Sequence, residues 1–277
     1  MPNINNLIAD IDTVLLSGMS EPPVEIIRAF GERVASLLSS RLIARTKHYP
    51  FTLRMSNLGK SESQLWYEAH GYEKDEEMGA QVLLKFLYGD IIEELLLTLA
   101  EVAGHEVTDR QKEVELDGIK GHIDTLIDGE LVDVKSASSI SFNKFQEGTL
   151  RDSDPFGYYT QLSGYATSLG KTNGYFLAMD KTLGYTCLLE MKPEEVVDMH
   201  SRIPHLREVL QQDTAPPCGC TPKVEKNGNE CLTAQCSYNP YKHHAHPGLR
   251  TFLYSTGPRF FTKVVKQPEV LEVTKVA

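Results

Sequence analysis

The stretch from Gly121 to Ser136, GHIDTLIDGELVDVKS, decides the fold. Two alternating runs flank Asp128-Gly129, a dipeptide favoured in tight hairpins, and predict antiparallel strands over Ile119–Ile127 and Glu130–Ser136. Side chains alternate across a strand, so parity sorts these residues. Ile119, Ile123 and Ile127 fall on one face of the first strand and Val132 and Val134 on one face of the second, with Asp124, Asp133 and Lys135 opposite. Two carboxylates and a lysine then share a surface. A half-solvated hairpin alternates in the same way, and the pattern alone leaves that plainer reading open. Chemistry favours the other reading. Two aspartates set close on neighbouring strands repel unless a cation lies between them, and oxygen ligands suit a hard divalent ion such as Mg²⁺. Lys135 would stand at the edge of such a pocket.

A third carboxylate lies upstream. The run Glu76–Val102 carries Leu83, Leu84, Leu87, Ile91, Leu95 and Leu99 at helical spacing and predicts one long helix. Counting by turns, Glu93 shares a stripe with Gly89, Leu96, Leu97 and Ala100. Glu94 shares one with Asp90, Thr98 and Glu101, the face expected in water. Glu93 is therefore the expected inward ligand, with a buried acid paired to a base as the alternative. Gly89, one turn earlier, costs the helix ~1 kcal/mol and leaves room for close approach by a strand or substrate.

The composition bounds the rest. At 277 residues and 41% hydrophobic the chain buries a sizeable core. It has no long uncharged apolar run and no basic-then-apolar start, so a cytoplasmic protein without a membrane partner is expected. A formal charge of −10 argues mildly against general polyanion binding. Local basic stripes are nevertheless present: Arg41, Arg45, Lys47, Arg54 and Lys60 without an intervening acid, and Arg259, Lys263 and Lys266 near the C-terminus.

Taken in order, residues 1–20 are weakly patterned and predict a short helix or an extended arm. After Pro22-Pro23, Ile26, Ile27, Phe30, Val34, Leu37, Leu38 and Leu42 predict a helix that packs on the core or on another subunit. In Arg54-Met-Ser56-Asn-Leu58-Gly-Lys60, the groups of Arg54, Ser56 and Lys60 are candidates for phosphate contacts; a surface loop capping a helix is the alternative. Trp66 reads as core. Glu106–Leu116 predicts a first strand, paired across Asp117-Gly118 into a three-strand meander that ends at Lys135. Ser136–Asp154 reads as a polar loop in which Lys144 and Arg151 guide substrate. A helix over Tyr158–Leu169 places Tyr158, Gln161, Leu162 and Tyr165 on one side, where the tyrosines also read as ordinary interfacial aromatics. A hairpin over Asn173–Asp180 and Tyr185–Met191 follows, then a helix from Pro193 to about Gln211.

Taken together, Gly89-x-x-x-Glu93, Gly121-x-x-Asp124, Asp133-Val134-Lys135 and Gln161-x-x-x-Tyr165 resemble the PD-(D/E)XK nuclease superfamily, in particular its RecB-like and phage lambda exonuclease-like branch. The segment Arg54-x-Ser56-x-Leu58-Gly59 resembles the one that precedes the catalytic helix in RecB-like members. The resemblance covers roughly residues 50 to 200. It implies an α/β restriction-endonuclease-like core with a mixed central sheet flanked by helices, plus helical N-terminal and loop-rich C-terminal additions. The segments implied are 1–50, a core over 51–212, and a Cys/His-bearing extension over 213–277 packed on it. It further implies that Glu93, Asp124 and Asp133, with the backbone carbonyl of Val134, bind Mg²⁺ or Mn²⁺. By the same resemblance Lys135 orients or activates the attacking water, and Gln161 and Tyr165 support the site and the DNA strand. A DNA partner follows; a homo-oligomer and recombination proteins are further partners the resemblance allows.

From Thr214 the composition turns to Pro, Gly, Cys and His, and four of the five cysteines fall there. Such a set in a cytosolic-type enzyme points to a metal more than to a disulfide scaffold. Iron–sulfur members of the RecB-like group hold a cluster through one cysteine ahead of the catalytic helix and a C-x2-C-x5-C set. Here Cys236, Asn239 and Ala245 occupy that frame and Ser61 stands at the upstream position, so an Fe–S cluster is not expected. Two readings stay open: a Zn²⁺ site from Cys218, Cys220, Cys231, Cys236 and one of His243, His244 or His246, or free thiols. The terminal Arg250, Arg259, Phe260, Phe261 and Lys263 either lie on DNA or return along the core.

The function implied is a Mg²⁺- or Mn²⁺-dependent DNA exonuclease of phage or bacterial recombination and repair. The alternatives are a nuclease-like domain that binds DNA or a partner without cutting, and a site-specific endonuclease.

Overall fold

The computed structural model describes residues 2–43, 50–75 and 79–273. Arg45 and Lys47 of the basic stretch and Glu76 at the expected helix start lie outside the described residues.

The chain opens with α1 (Leu7–Ser17) and α2 (Val24–Leu42), followed by α3 (Glu62–Ala69) and the long α4 (Ala80–Val102). Short strands follow: β1 (Val107–Thr108), β2 (Glu113–Leu116), β3 (Ile119–His122), β4 (Thr125–Ile127) and the longer β5 (Glu130–Ala137). Next come α5 (Ser139–Gln146), α6 (Tyr158–Ser168), β6 (Gly174–Asp180), β7 (Thr186–Met191) and α7 (Met199–Leu210). The C-terminal segment holds β8 (Lys223–Val224), β9 (Glu230–Cys231), α8 (Ala234–Ser237), α9 (Lys242–Ala245), β10 (Arg250–Tyr254), β11 (Gly257–Lys263) and β12 (Leu271–Val273).

This is an α/β fold built on a mixed sheet in the order β1-β4-β5-β6-β7. Only the β5–β6 pair is parallel, with Asp133 beside Phe176 and Val134 beside Leu177. Helices flank both faces. On one, Leu7 and Ile11 of α1 and Ile92, Leu96, Leu97 and Ala100 of α4 pack on Val132, Val134, Tyr175 and Leu177. On the other, Phe142, Phe145, Tyr159, Leu162 and Tyr165 pack against Leu131, Phe176 and Ala178. Parity along β5 therefore turns Asp133 and Lys135 toward α5 and α6. No helix among the described residues is long and apolar enough to cross a membrane.

The hairpin at Asp128-Gly129 forms as the dipeptide predicts, with both residues in the left-handed region at φ 51° and 79°. The expected three-strand meander does not. Residues 107–116 split into β1 and β2 around a turn in which Asp109 and Gln111 have positive φ. The Ile123 N–H then donates to Lys112 O and the Gln111 N–H to Asp124 O, which ends β3 and starts β4. As a result β2 and β3 form a separate hairpin. Ile119 and Ile123 pack in one core and Ile127 in the other, so the three isoleucines do not share a face.

The long helix departs from its expected stripe as well. Leu83, Leu84 and Leu95 are exposed, and burial begins in earnest at Ile92. Nor does Glu94 face water. Its carboxylate accepts from Arg33 Nε at 2.7 Å and Arg110 Nη1 at 3.1 Å, and its side chain is 12% exposed. This network clips α2 to α4, because α2 buries no residue fully and lays only a half-buried stripe (Ile26, Phe30, Arg33, Val34, Leu37) on its neighbour.

The expected loop over Ser136–Asp154 contains α5. Its polar composition hid a helix whose Phe142 and Phe145, one turn apart, both reach the core. The helix foreseen from Pro193 begins only at Met199, where Asp198 caps it by accepting from the His200 and Ser201 N–H groups. The C-terminal tail folds into its own sheet, β12-β10-β11-β9-β8. There Arg259 pairs with Glu225 and Lys263 with Glu230, so these cations face acids of the same sheet.

Candidate active site

Asp124 sits in the break between β3 and β4, where its backbone is held by the 109–112 turn. Its side chain accepts the Val134 N–H at 2.7 Å, which ties it to the middle of β5. One residue either side of Val134, Asp133 and Lys135 point the other way and form an ion pair. Asp133 is 1% exposed, and apart from Lys135 neither of its buried oxygens meets a donor. Glu93 arrives from α4, its carboxylate accepting from Gln111 Nε2 at 2.7 Å. Gly89 lets this helix approach β5, since a Cβ there would lie 3.2 Å from Ser136 Oγ.

The three acids feel one another. Burial is the main cause that pushes Glu93 up to about 7, and Asp133 and Glu94 add to it while Gln111 and Lys135 oppose it. Asp124 is raised well above the usual carboxylate range by burial, then by Asp133 and Glu93. Asp133 is raised by burial against the pull of Lys135. For Lys135, burial disfavours the charge, but Asp133 and Asp124 outweigh it and the ammonium holds its proton more tightly than usual. A buried acid cluster of this kind stores repulsion that a multivalent cation relieves.

The fit to such a cation has two sides. The donors are all oxygens, the type a hard divalent ion takes, and Asp133 has unsatisfied oxygens to offer. The carboxylates are nevertheless spread. Among the described residues, the group of three or more ligand-bearing side chains whose ligand atoms all lie within 4.8 Å of one another is Cys218, Cys220, Cys236 and His246. Each acid instead has a donor of its own: Gln111 for Glu93, the Val134 N–H for Asp124 and Lys135 for Asp133.

The aromatic side of the site comes from α6. Lys135 Nζ lies 4.9 Å from the centroid of the Tyr158 ring. Gln161 Nε2 donates to Tyr165 OH at 3.2 Å, and burial raises the Tyr165 phenol to about 12. Gly121 is small because Tyr165 and Met55 occupy the space of its absent Cβ: Met55 Cβ would be 2.6 Å away and Tyr165 Cε1 2.8 Å. The segment before α3 is pinned here too, since Gly59 and Gly157 meet backbone to backbone, with Gly157 O where a Gly59 Cβ would have to lie.

The remaining sequence candidates divide. Arg54 forms a bridge with Lys120 of β3 and is exposed, as is Ser56, while Lys60 pairs with Glu68 at 3.3 Å. Lys144 donates to Ser153 O and Oγ, and exposed Arg151 lies 3.9 Å from Glu195, so these two engage loop and helix residues. A cavity of about 280 Å³ between α2 and α4 reaches Glu93, lined also by Leu37, Ser40, Arg41, Asp90, Glu94 and Gln111. Cys231 stands apart from the other tail cysteines, buried against Phe252 and Phe261.

Sequence reasoning missed Gln111, for which an isolated glutamine in a turn gives no signal. It also missed Asp154, whose carboxylate accepts the Tyr159 N–H at 2.9 Å, leaves its other oxygen buried without a donor, and raises Asp133 further. An Asp-Pro pair reads as a helix start, but α6 begins only at Tyr158 with Gly157 at its N-cap, so the pattern does not point to this role.

No family model and no curated protein matches the chain. Solved structures do. A protein named SSO0001 is 15% identical with a TM-score of 0.43, over 75% of this chain and 91% of its own. A phage-related exonuclease from Haemophilus somnus 129PT is 15% identical with a TM-score of 0.42, over 58% of this chain and 94% of its own. The alkaline exonuclease LHK-Exo from Laribacter hongkongensis is 15% identical with a TM-score of 0.40, over 64% of this chain and 92% of its own.

Proposed function

We propose that the chain is a Mg²⁺- or Mn²⁺-dependent deoxyribonuclease that degrades DNA from an end, in phage or bacterial recombination and repair. The observation that supports this reading is that Glu93, Asp124 and Asp133, from three separate elements, border one buried region beside Lys135, where Asp133 adds to the upward shift of both Glu93 and Asp124. The order and spacing of the motifs that resemble PD-(D/E)XK nucleases support the same reading.

Glu93, Asp124 and Asp133, with the Val134 carbonyl, would hold the divalent ion, which when bound polarises the scissile phosphate and acidifies a water. The chain's own groups do the rest. Lys135 keeps its proton and serves as a fixed positive charge that orients the attacking water and offsets charge on the phosphate. The Lys135 ammonium is held for that task between Asp133 and the Tyr158 ring. Tyr165, held by Gln161, braces β3 just ahead of Asp124 through the packing at Gly121.

End-labelled single- and double-stranded DNA, incubated with Mg²⁺, with Mn²⁺ or with EDTA, tests the proposal. Metal-dependent release of label is expected, with closed circular DNA left intact. Cutting of the closed circle indicates an endonuclease. Binding without cleavage under both metals indicates the non-cutting alternative.

A further inference from the structure

Away from the acid cluster, the C-terminal segment gathers four side chains that the nuclease chemistry does not use. Cys218 Sγ lies 3.5 Å from Cys220 Sγ and 3.5 Å from Cys236 Sγ, and Cys220 Sγ lies 3.5 Å from His246 Nε2. All four ligand atoms fall within 4.8 Å of one another. We propose that Cys218, Cys220, Cys236 and His246 form a mononuclear structural zinc site. The proposal stands whether or not the chain cleaves DNA.

The three 3.5 Å contacts, Cys218 to Cys220, Cys218 to Cys236 and Cys220 to His246, match the spacing around one tetrahedral ion, while Cys220 and Cys236 lie closer, at bonding distance. Bonds of about 2.3 Å to sulfur and about 2.0–2.1 Å to nitrogen set ligand atoms roughly 3.5–3.8 Å apart around a tetrahedron. A polynuclear iron–sulfur cluster spreads its thiolates over several metals, and four ligand atoms this close leave room for a single ion. The Cys-x-Cys spacing, tighter than usual for zinc, is met by the backbone: Gly219 sits in the left-handed region at φ 70°, which turns both flanking thiols the same way. Leu232, Leu249 and Phe260 pack against the cysteines, burying Cys236 and half-burying Cys218 and Cys220.

A disulfide is the competing account, since Cys220 and Cys236 are joined in the structure. It uses two of the four groups and gives no reason for Cys218 and His246 to converge on them. A zinc ion uses all four, with the thiols bound as thiolates and their protons released. The site would also hold one end of an aromatic row. Cys236 lies on α8, which Tyr238 caps; Tyr238 packs at a tilt on Phe156 at 5.1 Å, Phe156 likewise on Tyr158 at 5.5 Å, and Tyr158 faces Lys135.

The full chain, expressed in zinc-supplemented medium and purified with reductant, should carry one zinc ion per chain by elemental analysis. Cobalt substitution should give the intense visible absorption and thiolate charge-transfer bands of a tetrahedral sulfur-rich site. Cys218→Ser and His246→Ala should weaken zinc binding by more than the roughly 10–100-fold that outer-shell changes cost. Cys231→Ser should keep full occupancy. Zinc-free wild-type protein whose mass shows a Cys220–Cys236 disulfide overturns the assignment, as does iron with acid-labile sulfide. Should Cys218→Ser fail to fold, the cobalt spectrum of the wild-type chain decides by itself.

Discussion

The Lys135 ammonium lies 4.9 Å from the centroid of the Tyr158 ring while it pairs with Asp133, so one cation is shared between an aromatic face and a carboxylate. An interaction of this kind is worth about 0.5–2 kcal/mol, which is roughly 2- to 30-fold in rate. Tyr158→Ala should therefore slow cleavage of end-labelled DNA within that range, while Tyr158→Phe stays within about twofold. Equal losses in the two variants would assign the effect to the hydroxyl and not the ring.

The adjacent acids of α4 should separate cleanly. Glu93→Ala should abolish metal-dependent cleavage and leave the circular dichroism spectrum unchanged. Glu94→Ala removes the carboxylate that Arg33 and Arg110 share and should cost about 1–3 kcal/mol in urea unfolding. A Glu93→Ala protein that degrades DNA at the wild-type rate would sink the metal-ligand assignment.

Without divalent ions the acid cluster should make stability depend on pH in a defined direction. Glu93 titrates at about 7 in the folded chain against an ordinary 4.5, so the folded state keeps a proton that the unfolded state gives up. Its contribution is present in full below 4.5 and is lost as pH rises to about 7, a change on the order of 3 kcal/mol. Urea melts in EDTA at intervals across that window should show stability falling with pH. Glu93→Gln should flatten the fall, and a wild-type profile that rises instead contradicts the burial of this side chain.

Gly121→Ala should destabilise the chain by about 1–3 kcal/mol, because its Cβ would lie 2.6 Å from Met55 and 2.8 Å from Tyr165. Thermal unfolding measures this. The companion Gly121→Ala/Met55→Ala should recover part of the loss if the clash is with Met55, and none if backbone conformation is the cause.

The centre of the fold was legible because its signals are local. Asp128-Gly129 fixes a turn, the turn fixes register, and register with parity puts Asp133 and Lys135 together on one side of Val134. The β3–β4 break was not legible, since it depends on backbone hydrogen bonds from Ile123 and Gln111 that join a turn to a strand end. Glu94 was misread for a related reason. A helical wheel reports which residues align, but the arginines that cover this one come from α2 and from the turn after β1. In the tail, cysteine count pointed to a metal, while the partition that leaves out Cys231 and draws in His246 needed the sheet that separates them.

The Gly59–Gly157 contact has a mechanical consequence. Two chain segments, one leading into α3 and the other into α6, touch with no side chain between them, so neither can slide without dragging its counterpart. Any displacement of the stretch around Arg54 is thereby passed to the helix bearing Tyr158, Gln161 and Tyr165, so that the two segments shift as one rigid lever.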